Sequence, residues 1–178
     1  MNYMQIEKAS VANGKGIRTV LWVSGCSLHC KGCQNPESWD FNAGKPFDEE
    51  ARKELFGYLS NPYIQGLTIS GGHPLDPLNV DSVYKLLLEV KDKFPTKDIW
   101  LYTGFELTFK EFDVPLIFSV MNYIGTVQAI LQMCDVVVDG KYIEELRDTT
   151  LPFRGSSNQR LIDVKKTIEN KEIVLFEV

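Results

Sequence analysis

The chain has 178 residues, of which 44% are hydrophobic, 24% charged and 11% aromatic. This composition excludes a disordered tail, a collagen-like repeat and a coiled-coil rod, and the length predicts a single domain over residues 1–178. Lys and Arg number 19 against 24 Asp and Glu, so the net charge of −5 argues against direct nucleic-acid binding through phosphates.

Strand-like and helix-like segments alternate along the chain. In chain order, β-branched and apolar runs predict strands at residues 17–23, 66–70, 98–102, 135–140 and 173–176. Helices are predicted over residues 48–59, where Asp48 is a suitable N-cap, and from Asn79 or Asp81 to Phe94. This alternation builds βαβ units and a mostly parallel sheet. The length allows five to six units, so we predict an α/β fold, an open, partial (βα) barrel, with a flavodoxin-like sheet as the alternative.

The stretch from residue 114 to 134 has no charged residue and is long enough to span a bilayer. Its large apolar side chains nevertheless fall on one helical stripe, and polar residues interrupt it. The pattern favours a buried amphipathic helix, broken near Gly125, over a membrane span, and we assign it no function. The first twenty residues lack the apolar run of a signal peptide, so we predict a cytoplasmic protein that binds no membrane.

Three of the four cysteines, Cys26, Cys30 and Cys33, lie within eight residues directly after the first predicted strand. Three thiolates on one short loop can bind three corners of a [4Fe-4S] cube, which leaves one iron without a protein ligand. Such an open position is typical of a catalytic metal centre. Two alternatives stay open: a zinc site that includes His29, and a chance cluster of core cysteines. The fourth cysteine, Cys134, has apolar neighbours and is predicted to be a buried core residue.

Further candidate residues follow other predicted strands. Gly71 and Gly72 have no side chains, so a ligand can approach their backbone closely; a plain tight turn is the alternative. The Thr103 hydroxyl can bind a carboxylate or a ribose, and the Asp139 carboxylate can bind a ribose or Lys141. Because ligands bind at the carboxyl edge of parallel sheets, we expect these positions to lie at one site.

The C-x3-C-x2-C pattern of the cysteines resembles the radical S-adenosylmethionine superfamily. The resemblance implies that the amino and carboxylate groups of S-adenosylmethionine chelate the open iron of a [4Fe-4S] cluster. It also implies that one electron from the reduced cluster splits the sulfonium into methionine and a 5′-deoxyadenosyl radical. This chemistry requires no acid–base pair, and we assign no residue such a role.

Other motifs resemble the glycyl-radical-enzyme activases of that superfamily. They lie at residues 13–18, 33–39, 70–75, 139–141 and 151–160. Together they resemble the branch that acts on anaerobic ribonucleoside-triphosphate reductase, which implies the large subunit of that reductase as partner and an electron donor such as flavodoxin. The target would carry its radical on the Cα atom of one glycine. An activase of another glycyl-radical enzyme is one alternative, and a small zinc-binding interaction module is another.

Two positions depart from the family patterns. Gly32 stands where the superfamily often has an aromatic residue, so we predict that backbone groups of Gly32, Cys33 and Gln34 contact the cofactor. His73 follows the Gly-Gly motif, where Glu or Asp is more usual. Because an imidazole differs from a carboxylate in charge and shape, we predict that His73 lies at the rim of the site and faces solvent or the partner.

Overall fold

The structure, a computed structural model, describes residues 1–113 and 122–178. Within these ranges, the strands are β1 (Asn2–Ser10), β2 (Arg18–Val23), β3 (Lys45–Pro46), β4 (Gly66–Gly71), β5 (Asp98–Tyr102), β6 (Val136–Asp139) and β7 (Arg160–Asp163). The α-helices are α1 (Glu49–Leu59), α2 (Val80–Lys93), α3 (Tyr123–Met133) and α4 (Val164–Asn170). Short 3-10 helices lie in the connections at Pro36–Ser38, Phe109–Glu111 and Glu144–Leu146.

The described strands form one sheet in the order β3-β1-β2-β4-β5-β6-β7. The central strands β2, β4, β5 and β6 are parallel, and β1 and β7 flank them in antiparallel pairing. The central strands follow chain order without reversal, so right-handed crossovers place α1, α2 and α3 on one face. The predicted α/β class and parallel centre are confirmed. The flavodoxin-like alternative is wrong, because it needs a reversal in strand order.

The partial barrel stays a prediction, because strand pairing specifies an open sheet and not its curvature. Among the described residues the parallel strands number four, β2, β4, β5 and β6, which is fewer than the five to six units expected from the length. The remaining chain forms the antiparallel strands at the two edges. Both edges of the parallel centre are therefore covered by antiparallel strands.

The predicted helices α1 and α2 are confirmed, and α1 has the predicted capping bonds at its start. The Asp48 carboxylate accepts hydrogen bonds from the backbone N–H groups of Glu50 and Ala51, at 3.1 and 3.0 Å. Such a cap satisfies N–H groups that have no partner inside the helix. Asn79 precedes α2, but its side chain makes no capping bond and donates elsewhere.

Several elements differ from the prediction. β1, β7 and α4 were not expected, and the strand predicted at residues 173–176 is wrong as an element. That segment makes an isolated antiparallel bridge between Leu175 and Ile162 of β7. β1 mixes charged and apolar residues because it lies near the edge of the sheet, where one side of a strand stays accessible.

The uncharged stretch is described from residue 122 onward, and its part at residues 114–121 lies outside the described residues. From Tyr123 to Met133 it is helical as predicted, and this helix, α3, packs against α2. A break was predicted near Gly125, and α3 begins two residues before it, where the Asn122 side chain caps the helix by accepting from the N–H of Gly125. In the described part of the chain, no helix has the length and apolar character needed to cross a membrane.

The two faces of the sheet have different chemistry. The helix-covered face buries aliphatic side chains such as Leu21, Ile69 and Leu101. On the opposite face Arg18 is fully buried at the amino end of the parallel strands, where its Nη1 atom lies 2.5 Å from the Asp98 carboxylate. Its guanidinium also stacks over Trp100, 5.2 Å from the ring centroid. The Arg18 side chain therefore fills this face at the amino ends of the parallel strands. A cavity lies at their carboxyl ends.

Candidate metal centre

A cavity of about 370 Å³ lies at the carboxyl ends of the parallel strands. Its walls come from the loop after β2, the turns after β4 and β5, and a C-terminal loop at residues 151–160. A concave site of this size is typical of small-molecule and cofactor binding. Its place agrees with the rule that parallel sheets bind ligands at the carboxyl edge.

The loop after β2 brings all three clustered cysteines to this cavity. Cys26, Cys30 and Cys33 each line it, with Cys26 buried and the other two half-buried. Cys134 is buried elsewhere in the apolar core, as predicted, and its thiol lies 3.2 Å from the Ile130 carbonyl oxygen. The spacing in sequence therefore separates the cysteines that share a site from the one that does not.

Buried side chains from the turn before α2 hold the start of the cysteine loop. The Asn79 Nδ2 atom donates to the carbonyl oxygens of Ser24 and Gly25, at 2.9 and 3.2 Å. The Asp76 carboxylate accepts from the backbone N–H and the hydroxyl of Ser27, at 3.2 and 2.6 Å. Sequence reasoning missed the role of both residues at the site, because each acts through contacts across about 50 positions of chain.

Backbone N–H groups point at the sulfurs of the clustered cysteines, here those of Cys26 and Cys33. Burial raises the pKa of the Cys26 thiol, and hydrogen bonds from the backbone of Leu28 and His29 act in the opposite direction. His29 reaches this position with a φ of +43°, in the left-handed region that non-glycine residues rarely adopt. The Cys33 sulfur accepts from the N–H of Asn35 at 3.4 Å. Donors aimed at sulfur stabilise thiolate ligands, as in other iron–sulfur sites.

The environment of Cys30 combines burial with a nearby positive charge. Burial raises the pKa of the Cys30 thiol, while the charge of Lys141 and the backbone of Tyr142 lower it. Lys141 is exposed and does not line the cavity. It therefore acts on the thiol from outside, in the direction that favours the thiolate that a metal binds.

The Gly-Gly turn lines the cavity and packs against the cysteine loop. A Cβ atom added to Gly72 would lie 2.5 Å from the Gly25 carbonyl oxygen, and one on Gly71 would lie 2.6 Å from that of Val23. Gly71 also has a φ of +102°. The N–H of Gly72 donates to the Val23 carbonyl at 2.8 Å. Both expected features are present, since the two glycines form a tight turn and expose backbone to the cavity.

The prediction that His73 lies at the rim is wrong. Its side chain lines the cavity and is only 2% exposed, because its backbone N–H donates to the Gly25 carbonyl, at 2.8 Å, and the residue is held inward. The Nε2 atom lies 2.9 Å from the hydroxyl of Thr103, and the ring packs edge-on against Phe105. Burial lowers the pKa of His73 to about 4, so the imidazole is neutral at neutral pH.

The C-terminal loop forms the remaining wall, and Gln159 organises it. The Gln159 side-chain oxygen accepts from the N–H groups of Gly155 and Ser156, at 2.9 and 3.1 Å, while its amide donates to the Gly140 carbonyl at 3.1 Å. The Arg154 Nη1 atom donates to the Gln159 carbonyl at 3.1 Å. These bonds hold the loop against the end of β6.

Most predicted site residues meet at the cavity, and two do not. Gln34 and Thr103 line it together with the cysteines and the two glycines. Gly32 is exposed in a turn with a φ of +70°, next to the Glu144 side chain and outside the lining. The predicted cofactor contact from Gly32 is therefore not supported by this arrangement.

Asp139 is the second predicted residue that does not line the cavity. Its carboxylate is fully buried and accepts from Nε and Nη2 of Arg160, at 3.0 and 2.5 Å. It also accepts from the backbone N–H of Leu107 at 2.9 Å. Its oxygen atoms thus have partners within the chain and position the loop after β5, and the ribose contact stays a prediction.

Three buried polar atoms of cavity-lining residues have no hydrogen-bond partner in the described part of the chain. They are Trp39 Nε1, His73 Nδ1 and Arg154 Nε. Buried polar atoms in folded proteins are nearly always paired. The partners of these three atoms therefore come from outside the described chain, from water or from a ligand in the cavity. Trp39 ends the motif at residues 33–39, and the sequence analysis assigned it no place in the site.

The donor set fits an iron–sulfur cluster better than the zinc alternative. Among the described residues, no three His, Cys, Asp or Glu side chains are grouped to hold a metal ion. A zinc ion needs all its sulfur ligands within about 4 Å of one another, whereas each cysteine of a cubane binds a different iron. His29 is exposed, with its ring 4.8 Å from that of Trp39. Cys26, Cys30 and Cys33 could hold three irons at the cavity.

Comparison with known proteins agrees with this chemistry. A family model described as a 4Fe-4S single cluster domain matches residues 12–162, so the chain belongs to that class of iron–sulfur domain. Proteins named anaerobic ribonucleoside-triphosphate reductase-activating protein are similar over most of the chain. The one from Haemophilus influenzae is 43% identical over 161 residues, which cover 89% of this chain and 96% of the relative.

Two further relatives with the same name come from a bacterium and a phage. The Escherichia coli K12 protein is 37% identical, with coverage of 89% of this chain and 96% of the relative. The Enterobacteria phage T4 protein is 41% identical, with coverage of 90% and 93%. The chain is therefore a member of the anaerobic ribonucleoside-triphosphate reductase-activating protein family, and the resemblance inferred from its motifs is confirmed.

Proposed function

We propose that this chain is a radical S-adenosylmethionine activase that generates a glycyl radical on anaerobic ribonucleoside-triphosphate reductase. The observation that carries the proposal is the meeting of Cys26, Cys30 and Cys33 with the Gly-Gly turn at one cavity. The names of the relatives support the reductase as the target over other glycyl-radical enzymes, and its large subunit is the partner that we propose.

Cys26, Cys30 and Cys33 would hold a [4Fe-4S] cluster and leave one iron open to S-adenosylmethionine. When bound and reduced, the cluster would supply one electron that splits S-adenosylmethionine into methionine and a 5′-deoxyadenosyl radical, which takes a hydrogen atom from a glycine Cα of the reductase. A low-potential donor such as flavodoxin would supply that electron from outside the chain.

The protein's own residues bind and orient the reactants. Backbone carbonyls of Gly71 and Gly72 would accept hydrogen bonds from the ammonium group of the methionyl part, because no side chain blocks their approach. The Thr103 hydroxyl and the backbone after Cys33, at Gln34, line the same space and are proposed as further contacts. A curved sheet, as in a partial barrel, would enclose these groups.

Reductive cleavage of S-adenosylmethionine tests the proposal. The protein is reconstituted anaerobically with iron and sulfide, reduced, and incubated with S-adenosylmethionine; methionine and 5′-deoxyadenosine are then quantified. We expect both products in equal amounts, and only when reductant is present. A cluster-loaded, reduced protein that leaves S-adenosylmethionine intact, with and without the reductase, would contradict the proposal.

A further inference from the structure

Arg154 carries the only permanent positive charge among the described residues that line the cavity. The lining includes neither lysine nor a second arginine, and neither Asp nor Glu. His73 is neutral at neutral pH because burial lowers its pKa. The charge of Lys141 acts on Cys30, but Lys141 is exposed and lies outside the lining. Any negative group of a bound ligand therefore meets one cationic side chain at the cavity wall.

The guanidinium of Arg154 is held in place but is not fully paired. One Nη atom donates to the Gln159 carbonyl, and Gln159 is itself fixed by the N–H groups of Gly155 and Ser156. The Arg154 Nε atom is buried and has no hydrogen-bond partner among residues 1–113 and 122–178. Within the described chain, Arg154 forms no ion pair with a carboxylate. The charge of Arg154 is among the causes that lower the pKa of the Asp148 carboxyl, but the two groups form no ion pair, so donors of the guanidinium stay available to a ligand.

A carboxylate can accept hydrogen bonds from the Arg154 donors that are not paired within the described chain. Guanidinium presents parallel N–H donors to the two oxygens of a carboxylate, and charge-assisted bonds of this kind are about twice as strong as neutral ones. S-adenosylmethionine has one carboxylate, in its amino-acid part. We infer that Arg154 binds that carboxylate and thereby selects a cofactor with an intact amino-acid group. This inference rests on the proposed function and names a contact that the cysteines and the Gly-Gly turn do not supply.

The test compares two ligands that differ only in the carboxylate. Binding of S-adenosylmethionine and of decarboxylated S-adenosylmethionine is measured by equilibrium dialysis with the anaerobically reconstituted protein, for the unmodified chain, Arg154→Met, Arg154→Lys and Arg147→Met. Arg147 is an exposed arginine outside the cavity, so Arg147→Met makes the same charge change as a matched control. Iron content and thermal melting show whether each variant is folded and loaded.

We expect Arg154→Met to weaken binding of S-adenosylmethionine about tenfold or more and that of the decarboxylated ligand less than about threefold. Arg154→Lys keeps the charge but not the paired donors, so its loss is expected to be intermediate. Arg147→Met is expected to change neither. Equal losses for both ligands in folded Arg154→Met, or no loss for either, would overturn the inference.

The outcomes separate this inference from the proposed function. If the unmodified protein binds neither ligand, the proposed function fails. If it binds S-adenosylmethionine and Arg154→Met binds it equally well, only the role of Arg154 fails. An Arg154→Met protein with unchanged S-adenosylmethionine affinity and weakened binding of the reductase would place a carboxylate of the partner at Arg154 and would also overturn the inference.

Discussion

The Nε2 atom of His73 lies 2.9 Å from the Oγ1 atom of Thr103, and this bond joins the turn after β4 to the turn after β5. The Thr103 hydroxyl oxygen also accepts from the N–H of Phe105 at 3.2 Å, and the Phe105 ring packs edge-on against the imidazole. If His73 donates from Nε2, its Nδ1 atom is an acceptor and the Thr103 proton is free for a ligand. One buried imidazole thus links two walls of the cavity.

Burial of His73 predicts a loss of stability on mild acidification. Burial lowers the pKa of His73 from 6.5 to about 4, and the charge of Asp76 opposes this more weakly. Below about pH 6.5 the unfolded chain binds a proton that the folded chain does not, so the free energy of unfolding falls as the pH drops toward about 4. Between about pH 7 and about pH 5.5, the unmodified protein is expected to lose about 1 kcal/mol more than His73→Gln.

Urea unfolding at the two pH values measures this difference. His29→Gln is the matched control, because His29 is exposed and lies outside the cavity lining. It is expected to keep the pH dependence of the unmodified protein. The account of His73 is wrong if His73→Gln loses as much stability on acidification as the unmodified protein does.

The clustered cysteines are expected to differ from Cys134 in their effect on iron binding. Cys26→Ala, Cys30→Ala and Cys33→Ala each remove a thiolate from the cavity wall and are expected to lose most of the bound iron and the absorbance near ~400 nm. Cys134→Ala removes a sulfur from the apolar core and is expected to keep its iron at a stability cost of about 1 kcal/mol. Iron and sulfide are measured per chain after anaerobic reconstitution. Full iron content in any of the first three variants would contradict the ligand assignment.

Gly72→Ala is expected to damage both stability and iron binding. The added Cβ atom would lie 2.5 Å from the Gly25 carbonyl oxygen, so the cysteine loop has to move. We expect a loss of about 2 kcal/mol or more in the free energy of unfolding, together with a lower iron content. Gly57→Ala is the control, because a Cβ atom there meets nothing within 4 Å inside α1. It is expected to raise stability by about 0.5–1 kcal/mol, since alanine favours helix over glycine.

The two glycine variants are compared by urea unfolding and iron analysis. The close-packing account of the Gly-Gly turn fails if Gly72→Ala is as stable and as rich in iron as Gly57→Ala. A loss of S-adenosylmethionine binding in Gly72→Ala is informative only when iron content is retained, because the same shift moves the cysteine loop.

Asn79 is expected to require its amide group and not only its size. Its Nδ2 atom donates to three carbonyl oxygens, those of Ser24, Gly25 and His73, at 2.9, 3.2 and 3.1 Å. Asn79→Ala leaves these oxygens without that donor, at a cost of about 1–3 kcal/mol. Asn79→Asp keeps the shape but places a buried carboxylate against them, so its loss is expected to be larger. Urea unfolding of both variants decides, and an Asn79→Asp protein at least as stable as Asn79→Ala would contradict this role.

Local sequence patterns predicted the parts of the fold that depend on neighbouring residues. The cap at Asp48 and the apolar runs of β4 and β5 need only nearby positions, and both were predicted. β1 mixes charged and apolar residues, and β7 is short, so neither has a clear local pattern. Each pairs antiparallel with a central strand that its own sequence does not specify. The central sheet was therefore predictable, and its edges were not.

At the candidate site, too, local patterns predicted some residues correctly, and long-range contacts decided the others. The cysteine spacing and the Gly-Gly motif placed their residues at the cavity, because each lies at the end of a parallel strand. Asp139 has the same kind of position, but its carboxylate is occupied by Arg160, 21 positions away in the chain. A rim position was predicted for His73 because Glu or Asp is more usual at this place in the motif, whereas its burial depends on packing against Phe105. Contacts between distant segments decided both of these residues.

The most direct test of the central claim is electron paramagnetic resonance of the reductase after activation. The reconstituted protein, anaerobic ribonucleoside-triphosphate reductase, a reductant and S-adenosylmethionine are incubated without oxygen and frozen. Labelling the glycines of the reductase with deuterium at Cα distinguishes a glycyl radical by the narrowing of its hydrogen splitting. We expect a glycyl radical that requires every component and disappears with Cys26→Ala, Cys30→Ala or Cys33→Ala. A fully loaded, reduced protein that yields no glycyl radical on the reductase, or yields it equally without the three cysteines, would contradict the claim.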